Sequence, residues 1–137
     1  MKMDAEILKK VKRLAQKTKI VYVATANREG IPHIAAAEGV AFMDGEIAFR
    51  AWFYPKTVEN LQENPKLALA VLSPKTQEGY QVFGVVERIE KGAILDGYTP
   101  GEEKGWSGYP QAEHRLTIRV GAVSHLTTRG HSDELLG

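Results

Sequence analysis

The sequence predicts a mainly β domain, in which six antiparallel strands curl into a small barrel flanked by two short helices. Three observations carry that prediction. Runs of alternating or β-branched residues recur between clusters of breakers. Asp44-Gly45 supplies the dipeptide suited to a tight hairpin, where positive φ is demanded. A length of 137 residues fits one core, and six strands in that length overfill a flat sheet unless its edges are brought together.

Over residues 4–18 the apolar residues Ile7, Leu8, Val11, Leu14 and Ala15 fall at spacings of three and four, which predicts an amphipathic helix. Its cations Lys9, Lys10, Lys12, Arg13 and Lys17 fill the other face and are expected to be a solvated surface. Strands are predicted over 20–26 and, after the breaker-rich turn Asn27 to Pro32, over the Ala-rich stretch 33–43. Residues 46–53 should fold back on the latter. A short helix follows over 54–63, started by Pro55 and stopped by Asn64-Pro65. Strands over 66–73 and 80–90 are expected to pair across the loop Pro74 to Gly79. Five glycines and two prolines between Lys91 and Glu113 predict a loop with one helical turn near its acidic middle. The last strand runs over 114–126, and the polar tail over 129–137 is expected to fray. The whole reads as one domain over 1–137.

Eighteen Lys and Arg against seventeen Asp and Glu give a formal charge of +1, which argues against nucleic acid as a partner. Without cysteine there is no disulfide framework, thiolate metal site or cysteine nucleophile. The charged amino end has no apolar signal segment, and no run approaches the roughly 20 residues of a membrane helix, so a cytoplasmic location is expected.

Several chemistries drop out on motif grounds. No Gly-Lys-Ser/Thr phosphate loop, three-glycine dinucleotide pattern or Gly-x-Ser-x-Gly elbow occurs. His33, His114, His125 and His131 lack the spacing of a metal-binding helix, so no metal site is assigned. Any chemistry is then expected to belong to a bound cofactor.

One constellation remains. Lys56 and Thr57 open the second helix, where unpaired backbone N–H groups and the positive end of the dipole favour an anion. Arg50, six residues earlier, approaches the same point if strand and helix meet at a corner. A guanidinium, an ammonium and a hydroxyl together suit a phosphate, each charge-assisted bond contributing about 1.5–3 kcal/mol. Spacing alone fits better an ordinary surface lysine and a cross-strand ion-paired arginine.

The order of strand, Glu29-Gly30-Ile31-Pro32-His33 turn and long hairpin, then Lys56-Thr57-Val58-Glu59-Asn60-Leu61-Gln62-Glu63-Asn64-Pro65 running into a strand, resembles the FMN-binding split-barrel family typified by pyridoxamine phosphate oxidases, in particular its small FMN-binding proteins. The resemblance covers about Val21 to Arg88, and Lys-x-x-x-Asn-Leu-x-x-Asn-Pro is its most specific part; Gly84 with Glu87-Arg88 matches more weakly. It implies a six-stranded antiparallel split barrel that forms a homodimer with one FMN at each of two equivalent interface sites. By position, Lys56 and Thr57 would hold the FMN phosphate with help from Arg50.

The same resemblance implies that the strand segment His33, Ile34, Ala35, Ala36, Ala37 and Glu38 runs beside the flavin, offering mainly backbone groups; alanines packed under a helix would look the same. Ala51 and Trp52 follow Arg50 into the site, and Gly79 or Gln81 would reach the ring from the fifth strand. Trp106 would cover the flavin from the partner subunit, or else pack on Tyr109. His33 reads as a turn-adjacent structural histidine rather than a proton donor.

The chain departs from true pyridoxamine phosphate oxidases, which are longer and end in an arginine-containing motif; after Leu126 it offers only Arg129 and His131. That oxidation is not expected here. The function implied is electron transfer or flavin-dependent reduction with FMN, with catalytic residues, electron donor and acceptor unassigned. Rival readings are a deazaflavin or haem in place of FMN, with His125 or His131 as the axial candidate for haem, and a cofactor-free dimeric interaction module.

Overall fold

The computed structural model describes residues 5–43, 45–51, 55–93, 112–128 and 135–136. In chain order the elements are α1 (Ala5–Thr18), β1 (Ile20–Ala26), β2 (Pro32–Glu38), β3 (Ala41–Met43), β4 (Glu46–Ala51), α2 (Pro55–Glu63), β5 (Lys66–Leu72), β6 (Gly79–Ala93), β7 (Ala112–His125) and β8 (Leu135–Leu136). All strand pairs are antiparallel, in the order β2-β1-β5-β6-β7-β4-β3, with the two-residue β8 added to β7.

That order dictates a curled sheet. β2 and β3 lie at opposite ends of the path, yet only Gly39 and Val40 separate Glu38 from Ala41. Three residue steps span at most about 11 Å. Six strand spacings across a flat sheet would be about 29 Å. The sheet must therefore bend until its edges approach. β2 comes close to β4, but no ladder joins β2 to β3 among the described residues, so the barrel is split along this seam.

The single strand expected over 33–43 is thus two strands belonging to opposite sheet edges. Gly39, at φ 68°, turns the chain between them, a left-handed backbone state that glycine adopts without penalty. Tail residues Leu135 and Leu136 are likewise not frayed, because they pair with Ser124 and Val123. Gly45, at φ 69°, closes the β3–β4 hairpin as expected. The loop expected over Lys91 to Glu113 is strand at both ends, because β6 runs on to Ala93 and pairs there with Ala112 of β7, while residues 94–111, with the acidic middle, lie outside the described residues.

The core fills the inside of the curl. Val21 and Val23 of β1, Leu67, Leu69 and Val71 of β5, Val82 of β6, Leu116, Ile118 and Val123 of β7 and Ile47 and Phe49 of β4 are buried, joined by Val11 and Ala15 of α1 and Val58 and Leu61 of α2. At Gly84 a Cβ would stand 2.5 Å from Ile118 Cγ2 and 2.9 Å from the Arg119 carbonyl. A glycine there lets β6 and β7 approach at the irregularity between Phe83 and Gly84. No helix among the described residues is long and apolar enough to cross a membrane.

Candidate functional site

The second helix sits where the split lies. α2 packs on β1, β2 and β4, the three strands that meet around the seam. Its position is fixed by polar bonds as well as by Val58 and Leu61. Asn60 is 2% exposed and donates from Nδ2 to Thr25 Oγ1 at 3.1 Å. At the far end of α2, Glu63 Oε2 accepts from the Arg28 amide at 2.9 Å. The neighbouring turn is held by Asn27, whose Oδ1 accepts from the amides of Glu29 and Ile31 at 2.9 and 3.0 Å.

Thr57 is the unusual residue of this corner. It is 0% exposed, and among the described residues its Oγ1 has no hydrogen-bond partner. A buried hydroxyl without a partner costs about 1–3 kcal/mol, so its retention calls for a reason. Beside it the first-turn amides of α2 also lack intrahelical acceptors. Lys56 is exposed and pairs with Glu59 one turn on, Nζ to Oε2 at 3.6 Å. A solvated pair of this kind contributes about 0.3–0.5 kcal/mol, too little to hold the ammonium against a doubly charged ligand. The donor set of buried hydroxyl, helix amides and mobile cation suits a phosphate group.

Arg50 lies in β4 opposite Arg115, and Ala51 opposite His114, at the end of the strand that leads into α2. The backbone thus brings both to the corner; their side chains lie outside the described residues, as do Trp52 and Trp106.

β2 supplies the other wall. Among the described residues it is an edge strand, so every second residue turns its backbone N–H and C=O to the seam side, where no ladder is formed. Its side chains divide between two faces. His33, Ala35 and Ala37 stand opposite Thr25, Val23 and Val21 on the core face, with Ala37 buried and the other two half-buried. Ile34, Ala36 and Glu38 point outward. These six residues therefore cannot all meet one ligand with their side chains; only the strand edge is common to them.

Gln81 and Gly79 stand elsewhere in the subunit. Gln81 shares a cross-strand row with Ala36, Tyr22 and Ala70, three strands from β2, and donates to Ser124 Oγ at 3.4 Å. Gly79, opposite Leu72, lines a separate cleft beside α1. Sequence reasoning missed the fastening role of Asn60 and Thr25. Its signal was spacing: Thr57, Asn60 and Leu61 share the face of α2 that is otherwise apolar.

The outward face of the sheet is also apolar. Ile34 is 68% and Tyr22 48% exposed, and Ile20, Leu72 and Phe83 are exposed on the same side. Ala24, Ala36, Ala68, Ala70 and Ala122 lie between them in the ladders.

Comparison with known proteins bears on this geometry. An uncharacterized protein of Methanocaldococcus jannaschii is 35% identical over 79 residues, covering 56% of this chain and 52% of the relative. This chain thus spans about half the length of the curated relative it matches. Among solved structures, an FMN-binding protein from Syntrophomonas wolfei superposes with a TM-score of 0.70 at 19% identity, over 93% of this chain and 91% of that one. An F420 reductase superposes with a TM-score of 0.62 at 20% identity, over 82% and 94% of the two chains. These likenesses establish a shared fold. A family model described as Pyridoxamine 5'-phosphate oxidase matches residues 7–126, nearly the whole described chain, and the protein belongs to that family.

Proposed function

We propose that this chain is an FMN-binding flavoprotein that works as a homodimer in electron transfer or flavin-dependent reduction. The observation that carries the proposal is the buried Thr57 hydroxyl, unpartnered among the described residues, beside Lys56 at the start of α2. The FMN-binding protein of S. wolfei shares the fold and adds support.

In this reading the Thr57 hydroxyl donates to a phosphate oxygen, the first-turn amides of α2 donate beside it, and Lys56 leaves Glu59 to neutralise charge. Arg50 adds a guanidinium from the end of β4. The free edge of β2 offers backbone donors and acceptors to the polar rim of the ring. FMN, once bound, supplies the redox chemistry; the chain binds, orients and limits water access.

The homodimer reading rests on the outward sheet face. A contiguous apolar surface of this kind marks an interaction site on a soluble domain. A second copy of the same chain presents the same face, as a two-fold interface requires. Ile34→Glu places a charge at its most exposed large residue and is expected to give monomers by light scattering, without loss of the folded circular dichroism spectrum. A variant as dimeric as the parent would remove this interface.

A deazaflavin in place of FMN is the second reading, favoured by the fold shared with an F420 reductase. Titrating the purified chain with FMN and with a deazaflavin separates the two by their visible spectra. Saturable FMN uptake is the expected result, and a chain that takes up neither contradicts both readings.

A further inference from the structure

A cleft of about 500 Å³ lies between α1, the β5–β6 connection and the end of β7, and of the residues assigned to FMN only Gly79 touches it. Lys10, Arg13 and Lys17 line one wall, at the i, i+3, i+7 spacing that places them on one side of the helix. None of these three cations is ion-paired among the described residues. Facing them, Tyr80 and His125 form an aromatic pair with ring centroids 5.7 Å apart and planes tilted by 41°. Glu78 is the single carboxylate among the lining residues, so the wall retains an excess of positive charge.

These features are of different kinds and point to one class of ligand. Unpaired cations gathered at a concave surface concentrate anions, and an arginine among them can take two phosphate oxygens at once. The Tyr80–His125 pair offers a surface for a planar ring. The volume lies within the range of about 300–1,000 Å³ typical of small-molecule sites. We propose that this cleft is a second binding site, distinct from the α2 corner, for a small aromatic phosphate of mononucleotide size. The phosphate meets Arg13 and Lys17, and the ring lies against Tyr80 and His125.

The basic residues of α1 would otherwise count as a solvated helix face. What separates Lys10, Arg13 and Lys17 from Lys9 is the cleft: Lys9 pairs with Glu6 at 3.5 Å on open surface, whereas the other three border a cavity with an aromatic wall.

The test uses the chain of residues 1–137 and three probes, AMP, adenosine and inorganic phosphate, in equilibrium titrations. AMP is expected to bind saturably, with adenosine and phosphate each at least about tenfold weaker because each lacks one half of the recognition. Arg13→Ala with Lys17→Ala changes two exposed side chains and is expected to weaken AMP about tenfold or more with the fold intact. His125→Leu should weaken AMP while leaving phosphate unchanged. Lys56→Ala should leave AMP binding within twofold of the parent, which separates this site from the flavin site even if FMN does not bind. Absence of saturable AMP binding, equal affinity in the Arg13/Lys17 variant, or loss of binding in Lys56→Ala would each overturn the proposal.

Discussion

The two helices of this domain both carry cations at a candidate ligand site, but they do so in different ways. On α1 the charges are numerous and exposed, and the buried residues of that helix, Val11 and Ala15, are apolar. On α2 a single lysine accompanies Thr57 and Asn60, both withdrawn from water, one fastened to Thr25 and the other left without a partner. Charge density alone would rank α1 first as an anion site. Desolvation reverses the order, because the donor that gains most from a ligand is the one that has already lost water and found nothing else.

The largest effect separating the helices is expected in flavin affinity. Lys56→Ala with Arg50→Ala removes two charge-assisted contacts and should weaken FMN about a hundredfold, whereas Lys10→Ala with Arg13→Ala should change it less than twofold. Titration of the two double variants in parallel reads this contrast, and equal losses in both would erase it.

A smaller difference is expected in stability. Asn60→Leu leaves the Thr25 hydroxyl buried without its donor and should destabilise the chain by about 1–3 kcal/mol in urea unfolding. Arg13→Ala should stay within about 0.5 kcal/mol of the parent, as surface changes do. Similar midpoints for the two variants would mean that Asn60 does not fasten α2.

The smallest expected contrast is in salt dependence. Raised ionic strength should weaken AMP at the exposed cations of α1 more steeply than FMN at the half-desolvated corner of α2. Parallel slopes would indicate that both ligands depend on solvated charge alone.

Much of this architecture was legible because local chemistry determines it. Pro55 and Asn64-Pro65 bound α2, Asp44-Gly45 marks the hairpin, and the α1 periodicity is unambiguous. The β-branched and aromatic run Ile20-Val21-Tyr22-Val23-Ala24 marks a strand, though its sequence does not show that Ile20 and Tyr22 face outward and stay exposed. Gly39 hides in an apolar stretch that reads as one strand, and only the non-local closure of the curl makes it a corner. β8 is two residues in a polar tail and owes its form to a partner strand. The position of Lys56 and Thr57 at a helix start could be read directly. That Thr57 is wholly buried could not, since burial depends on strands distant in sequence. The clustering of Lys10, Arg13 and Lys17 against Tyr80 and His125 was equally hidden, because the β5–β6 connection and β7 approach α1 only once the sheet has curled.

Thr57→Val tests the central claim most directly, because the two states of the protein should respond with opposite signs. Removing a buried, unpartnered hydroxyl with little change of shape should leave the flavin-free chain as stable as the parent, or up to about 1 kcal/mol more stable, in urea unfolding. The same change should weaken FMN about tenfold by titration, since the ligand loses the donor that was waiting for it. Unchanged FMN affinity, or a clear loss of stability in the flavin-free chain, would contradict the account of Thr57 as a phosphate donor.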